Sequence, residues 1–273
     1  MTHFPRRALG IAALSALATP PDELVRMAAD VGFDFVGVRV QKVTDQDPIL
    51  DLAPGSAAFK RLLKACQDTG ITVHDTEFML LDGTDQSYQW KRSLEISQAL
   101  GAKTFTVAAS DPDEMRLTER LASMAQEAAS ADITITLEPI SYQSVRSVED
   151  AARIAECSGI KILADTLHLH RGGIAPQALE KVAPWVAALQ LVDAAEEVPA
   201  DREALIFESR NDRRAPGDGV IDMRSYLNAL PDTLPVSVEC VSASFVQEHG
   251  AAVWVKKLYQ AARVVIDSSD KAN

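Results

Sequence analysis

The sequence has few cysteines and no long apolar run, and these absences exclude several classes of protein. Its three cysteines, Cys66, Cys157 and Cys240, are scattered and form no Cys-x-x-Cys pair. Neither a disulfide framework nor a thiolate metal site is therefore expected, and a reducing cytoplasm is the expected compartment. The sequence also lacks the run of about 18 apolar residues that a membrane-spanning helix needs.

Positive charge is scarce as well. The 273 residues include 27 Lys and Arg against 39 Asp and Glu, which gives a formal net charge of -12. A nucleic-acid partner would need a basic surface stripe, so a small molecule is the expected partner. With 47% hydrophobic residues the chain can bury one large core, and we expect a single domain over residues 1–273. Length and composition do not decide the oligomeric state, and a homo-oligomer remains one alternative.

A recurring joint organises the chain. Four helical patterns end on a glycine, at Gly32, Gly70, Gly101 and Gly159, and an apolar β-like run begins shortly after each of them. Glycine suits the left-handed conformation that closes a helix. Counting the other apolar runs, the pattern predicts eight βα units, which at this length favour an α/β fold of the closed (β/α)8 TIM barrel type.

Two segments need separate interpretation. Arg6 and Arg7 followed by the apolar run 8–18 are typical of a signal sequence with a small-residue cleavage site. The alternative, which the barrel favours, is that Ala8 to about Leu14 form the first strand. The longest stretch without a regular pattern, Ala194 to Gly219, is expected to be a loop after the seventh strand and a candidate lid or substrate clamp.

Four polar residues each end a short apolar β-like run, and they are Glu138, Asp165, Gln190 and Glu239. Because the C-terminal ends of barrel strands meet at one face, we expect these side chains to converge. One such carboxylate alone is more often a loop-capping residue. Three carboxylates and an amide oxygen are hard ligands, so together they predict a divalent metal site, with Mn or Mg more natural than Zn.

Three further residues are candidates for substrate binding. His168 follows Asp165 by three residues and is expected at the same mouth, either as a substrate contact or as a hydrogen-bonded structural residue. Arg210 and Arg213 are candidates to bind a carboxylate or orient hydroxyl groups; the alternative is a solvated loop in an acidic protein. The Pro216-Gly217-x-Gly219 segment is predicted to be a turn that fixes this loop.

The combined motifs resemble the xylose isomerase-like barrel superfamily of sugar isomerases, epimerases and ketopolyol dehydratases, over nearly the whole chain. The resemblance rests on the order and spacing of Leu137-Glu138-Pro139, Asp165 with His168, Gln190-Leu-Val-Asp193, Arg213 with Pro216-Gly217-x-Gly219, and Val238-Glu239. It implies metal ligation by Glu138, Asp165, the strand-seven residue and Glu239. It also implies substrate contacts from His168 and from an arginine after strand seven.

One position departs from the commoner pattern of the superfamily. Gln190 stands where most isomerases and epimerases have histidine, and with Ser209-Arg210-x-x-Arg213 it is similar to bacterial 3-dehydroshikimate dehydratases. The related endonucleases hold several metals with many histidines, whereas this chain has five histidines and a net charge of -12.

The expected function is a metal-dependent isomerase or epimerase of a sugar or ketopolyol. Its substrate is a small polyhydroxy carbonyl compound, and the reaction begins with proton abstraction next to the carbonyl. Glu138 and Glu239 are expected to share the base and acid roles. A dehydratase-like lyase acting on 3-dehydroshikimate or an inosose is the alternative, and a non-catalytic sugar-binding barrel is the second alternative.

Overall fold

Eight parallel strands close into one barrel in chain order, and β8 pairs back with β1. The computed structural model describes residues 7–44, 47–48 and 50–269. The strands are β1 (Leu9–Ile11), β2 (Phe35–Arg39), β3 (Thr72–Leu81), β4 (Thr104–Ala109), β5 (Thr134–Leu137), β6 (Lys161–Asp165), β7 (Val186–Leu191) and β8 (Val236–Val238). The predicted (β/α)8 TIM barrel is confirmed.

Helices surround the barrel and connect its strands. They are α1 (Pro21–Val31), α2 (Ala57–Thr69), α3 (Ser87–Leu100), α4 (Glu114–Ala129), α5 (Val148–Ser158), α6 (Thr166–Arg171), α7 (Pro176–Val182), α8 (Arg202–Asn211), α9 (Met223–Asn228), α10 (Ala243–His249) and α11 (Ala251–Ser269). In the described part of the chain, none of them combines the length and the apolar character that crossing a membrane requires.

The glycine joints have the predicted geometry. Each of the four glycines follows the last residue of a helix, and their φ angles lie between 73° and 100°. The joint after α4 uses Asp132 instead, a non-glycine residue with a φ of 57°. The left-handed residue at each joint turns the chain from the outer helix into the next strand.

The first strand is shorter than the sequence suggests. β1 ends at Ile11, and Ala13–Ala16 form a 3-10 helix instead of continuing the strand to Leu14. Ser15 explains the change, because its hydroxyl donates to the carbonyl of Val238 at 3.0 Å and accepts from the backbone N–H of Cys240 at 2.9 Å. These bonds hold the 3-10 helix that follows β1 against the C-terminal end of β8. Arg6 of the signal-like pattern lies outside the described residues.

The stretch from Ala194 to Gly219 is not wholly irregular, because it contains α8. Asp201 begins this helix, and its side chain accepts a hydrogen bond from the N–H of Ala204 at 2.9 Å. Few α8 side chains are buried, which explains why the segment lacks a clear apolar stripe. The predicted turn at Pro216 to Gly219 is present, and Asp193 accepts hydrogen bonds from the N–H groups of Gly217 and Gly219, both at 3.0 Å.

Candidate metal centre

Three buried carboxylates meet at the C-terminal mouth of the barrel. Glu138 directly follows β5, Asp165 ends β6 and Glu239 directly follows β8, and we call them the site carboxylates. One oxygen atom from each lies within 4.8 Å of the others. The strands place them there because the C-terminal ends of β5, β6 and β8 share one face of the barrel.

Gln190 of β7 lies beside this group. It pairs in register with Asp165, and its Nε2 donates to Oε1 of Glu239 at 3.4 Å. The amide oxygen of Gln190 is buried and has no hydrogen-bond partner among the described residues. A buried acceptor without a partner costs about 1 to 3 kcal/mol, so an oxygen in this state fits a ligand of a metal ion.

Arg213 reaches into the same group from the segment that follows α8. Its Nη1 donates to Oδ2 of Asp165 at 2.8 Å and to the carbonyl oxygen of Glu239 at 2.8 Å, and it lies 3.0 Å from Oε2 of Glu239. Its Nε donates to the carbonyl of Ser209 at 2.6 Å. When all three carboxyl groups are ionised, the single guanidinium leaves two negative charges, which a divalent cation would balance.

The burial of these acids changes their proton affinity. Burial raises the pKa of Glu138 well above its usual range, and the nearby Glu239 and Asp165 raise it further. Burial also raises the pKa of Glu239 to about 7, although the Arg213 guanidinium opposes the change. Carboxylates that hold protons near neutral pH are suited to proton transfer, and they also bind a cation in exchange for protons.

His168 lies on the first turn of α6. Oδ1 of Asp165 accepts the N–H of Leu167 at 2.7 Å and that of His168 at 3.2 Å, so Asp165 also caps α6. Nε2 of His168 is 3.8 Å from Oε1 of Glu138, and its Nδ1 is 3.3 Å from the hydroxyl of Ser141. Burial lowers the pKa of His168 to about 4, so the imidazole is neutral at pH 7.

A cavity of about 570 Å³ opens above the site carboxylates. Glu138, His168, Arg213 and Glu239 line its floor side, and Arg210 of α8 lines it as an exposed side chain with no ion pair in the described residues. The volume is within the range of small-molecule sites. The structure thus brings all the sequence-predicted substrate-binding residues to one cavity, which two of the site carboxylates, Glu138 and Glu239, also line.

Sequence reasoning does not find the polar residues of β2 and β3. Arg39 ends β2, and its guanidinium lies between Oδ2 of Asp47 at 3.2 Å and Oε1 of Glu77 at 3.6 Å. Arg39 and Asp47 line the cavity. The apolar run that follows Gly70 in the sequence is short, Ile71 to His74, whereas β3 continues to Leu81, so Glu77 falls beyond that run. Arg39 ends the apolar run that follows Gly32, and this position is the signal that could have found it.

Tyr142 is a further residue of the site that the sequence does not mark. It lies in the segment after β5 and lines the cavity, and the edge of its ring meets His168, with ring centres 5.5 Å apart. Its hydroxyl is 2.6 Å from the hydroxyl of Ser209 in α8. Tyr142 therefore connects the helix that carries Arg210 to the imidazole of His168.

Comparison with known proteins places the chain in a family. A family model described as xylose isomerase-like TIM barrel matches residues 25–258. No curated protein sequence matches the chain.

Solved structures share the fold at low sequence identity. The structure of IolI protein with a bound zinc atom has a TM-score of 0.76 at 16% identity and covers 96% of this chain and 99% of its own. A D-allulose 3-epimerase from Methylomonas sp., in complex with D-allulose, has a TM-score of 0.69 at 14% identity and covers 96% and 98%. The probable 3-DHS dehydratase AsbF from Bacillus anthracis has a TM-score of 0.72 at 11% identity and covers 93% and 98%.

The TM-scores establish a common fold, and the family model extends the likeness to the sequence over most of the chain. The resemblance inferred from the strand-end motifs is therefore confirmed. The chain belongs to the xylose isomerase-like TIM barrel family.

Proposed function

We propose that this protein is a divalent-metal-dependent enzyme that removes a proton next to the carbonyl of a small polyhydroxy compound, as a sugar or ketopolyol isomerase or epimerase does. The observation that carries the proposal is the set of three buried carboxylates, with one guanidinium among them, below a cavity of about 570 Å³. Burying this many acids is costly unless a cation compensates them, so the arrangement is better explained by function than by stability.

The residues that would hold the cation are Glu138, Asp165, Glu239 and Gln190. All four offer oxygen atoms, which favours Mn or Mg, and the zinc bound to the IolI protein supports a divalent ion in this fold. Such a cation would stabilise the negative charge that develops on a substrate carbonyl oxygen when the neighbouring proton is removed.

The acid and base roles fall to residues at the floor of the cavity. Glu138 is buried and has a raised pKa, so it can take a proton near neutral pH. His168 is neutral and lies 3.8 Å from Glu138, which places it to hydrogen-bond a substrate hydroxyl group next to this carboxyl group. Arg210, which has no ion pair in the described residues, is placed to orient an anionic or hydroxylated part of the substrate.

A specific contact favours a dehydratase as the second candidate. Epimerisation uses an acid and a base on opposite faces of the substrate, and Glu239 would have to be one of them. However, Arg213 binds both Oε2 and the carbonyl oxygen of Glu239, whereas Glu138 and His168 form a pair without an arginine. Glu138 alone could remove the proton and then return it to the β-hydroxyl group, which would leave as water.

Metal dependence tests the proposal first. Purified protein is assayed with ketosugars, inososes and 3-dehydroshikimate after chelator treatment and again after addition of Mn or Mg. Activity should disappear with the chelator and return with the cation. Full turnover in a preparation shown by elemental analysis to be metal-free would refute the proposal.

Heavy water separates the two candidates. An isomerase or epimerase should place deuterium on a product of unchanged composition, whereas a dehydratase should release water and form an unsaturated product. We expect Gln190→His to reduce elimination more than deuterium uptake, because imidazole holds the cation more tightly and leaves it less electrophilic. An unchanged ratio of the two would remove Gln190 from the choice of reaction.

A further inference from the structure

A second, smaller cavity lies inside the barrel, and we call it the lower chamber. Its volume is about 10 Å³, close to the space that one water molecule occupies. Its polar lining comes from five strands, and these residues are His74, Asp75, Thr104, Thr136, Gln190 and Ser237.

The lower chamber lies directly beneath the metal centre. Thr136, Leu163, Ala188 and Ser237 line it, and each precedes a residue of the metal centre by two positions along its strand. Side chains two positions apart point to the same face of a strand, so these four residues form the next layer of the barrel interior. The small side chain of Ala188 leaves the space beneath Gln190, which belongs to the metal centre and also borders the chamber.

The amide of Gln190 is poorly matched to the described residues around it. Its nitrogen reaches Glu239 at 3.4 Å, which is a long hydrogen bond, and its oxygen has no partner in the described residues. A half-turn about the last side-chain bond exchanges the two atoms without moving the rest of the residue. After that half-turn the oxygen would be directed to the site carboxylates, where it benefits only if a cation is bound.

Asp75 supplies an acceptor on the other side of the amide. Its Oδ1 accepts hydrogen bonds from the hydroxyl groups of Thr104 at 2.6 Å and Thr106 at 2.9 Å. Because both hydroxyl groups bind Oδ1, they fix the carboxyl group. Burial and the nearby Glu77 raise the pKa of Asp75 well above its usual range, so Oδ2 is an acceptor only when the carboxyl group has given up its proton, a state that a donated amide N–H stabilises. In the lower chamber this acceptor can bind the amide nitrogen of Gln190 directly or through one water molecule.

We propose that Asp75 is a positioning residue for Gln190, which holds the amide nitrogen toward the lower chamber and thereby turns the amide oxygen toward a cation at the site carboxylates. The inference rests on the proposed metal-dependent function. It assigns to the protein a hydrogen-bond partner behind the metal ligand, of the kind that orients ligands in other metal sites.

A double-mutant cycle tests whether Asp75 acts through Gln190. Mn²⁺ affinity is measured by calorimetric titration for the wild-type protein, Asp75→Asn, Gln190→Ala and the double variant. Asp75→Asn should weaken Mn²⁺ binding by about 10-fold in the wild-type background, because the asparagine amide can instead donate to the Gln190 oxygen. In the Gln190→Ala background the same change should have an effect of less than about 2-fold.

A matched control changes the same chamber without touching the carboxylate. Ser237→Ala removes a hydroxyl group from the lining and should leave Mn²⁺ affinity within about 2-fold of the wild type. The proposal is overturned if Asp75→Asn loses equal affinity in both backgrounds, which would show that its charge alone matters. It is equally overturned if Asp75→Asn has no effect or if Ser237→Ala matches it.

A crystal structure of the wild-type protein loaded with Mn²⁺ provides a test that needs no variant, in case Asp75→Asn does not fold. The amide oxygen of Gln190 should bind Mn²⁺, and its nitrogen should lie within hydrogen-bond reach of Asp75 or of a water bound to it. If Mn²⁺ is bound while the nitrogen still donates to Glu239, this inference fails and the proposed function stands. If the wild-type protein binds no Mn²⁺, both fail.

Discussion

The two halves of the barrel treat buried charge differently. In the half built from β1 to β4, Arg39 lies between Glu77 and Asp47, while the Asp75 carboxyl group accepts hydrogen bonds from Thr104 and Thr106. In the half built from β5 to β8, the site carboxylates converge within 4.8 Å, and Arg213 contacts two of them. Within the described residues only the second half brings three carboxylates this close together, so we expect the chemistry at β5 to β8, while β1 to β4 close the barrel and form a wall of the cavity.

The largest effect, loss of folding, is expected from removing β1, the strand through which the first half of the barrel pairs with β8 of the second half. Deletion of residues 1–18 removes β1, which pairs with both β2 and β8 and is buried, so the barrel would open and expose strand edges. The truncated protein should be insoluble or unfolded in circular dichroism. Deletion of residues 1–6 is the control and should leave a folded protein. A soluble, active protein lacking residues 1–18 would contradict the role of β1.

Acid substitutions compare the halves directly. Glu138→Gln and Glu239→Gln should each lower kcat by about 100-fold or more, because each removes a cation ligand, and Glu138→Gln also removes the base. Glu77→Gln, in the first half, should lower kcat by less than about 10-fold. Turnover is measured at saturating Mn²⁺, with circular dichroism to verify folding. Near-normal turnover in either site variant would exclude that residue from the mechanism.

The neutral state of His168 predicts how stability depends on pH. Its pKa of about 4 lies below the value of 6.5 for an unperturbed histidine, so the unfolded chain takes up a proton first as the pH falls. The contribution of His168 to stability is therefore complete above pH 6.5 and is lost as the pH falls toward 4. Between pH 7 and pH 5 this loss should amount to about 2 kcal/mol.

Denaturant unfolding of the chelator-treated protein isolates that contribution. The change in unfolding free energy between pH 7 and pH 5 is compared for wild-type protein and His168→Asn. The site carboxylates titrate in both proteins, so the difference between the two changes reports on His168. Identical pH dependence in the two proteins would show that the imidazole is not held neutral.

The smallest effect concerns the contact between Tyr142 and α8. Tyr142→Phe removes the hydrogen bond to Ser209 and should cost about 1 kcal/mol in unfolding free energy, while the ring still packs against His168. Tyr88→Phe is the matched control, because Tyr88 is 72% exposed on α3, and it should change stability by less than about 0.5 kcal/mol. Equal effects in the two variants would mean that the Tyr142 hydroxyl does not fasten α8.

The barrel is readable from the sequence because its signals are local. A glycine that closes a helix and an apolar run that follows it need only neighbouring residues, and both appear at Gly32, Gly70, Gly101 and Gly159. Strand length is less local. β3 continues to Leu81 because it pairs along most of its length with β4, and β1 stops at Ile11 because Ser15 bonds to the chain near β8.

The part of the site that the sequence predicts follows from one rule, that the C-terminal ends of the parallel strands lie on one face of the barrel. That rule brings Glu138, Asp165 and Glu239 together without knowledge of any contact. It does not show that Arg213 enters between Asp165 and Glu239, because α8 and the turn after it decide where that side chain reaches. Contacts made by strands from the other half, such as Arg39 with Glu77, depend on strand register, which the sequence pattern does not fix.

The bonds of Asp193 have a consequence for protein engineering. Its backbone N–H and C=O pair with Arg214 at 2.9 and 3.1 Å, and its side chain accepts from Ala194, Gly217, Gly219 and Ile221. The segment that carries α8 therefore begins and ends at the same hydrogen-bonded group of residues around Asp193. Segments of other lengths can be grafted between Asp193 and Arg213 at little cost in closure entropy, provided that Arg213 keeps its contacts with Asp165 and Glu239. This barrel can thus be given new substrate-facing helices while its strands and Arg213 stay in place.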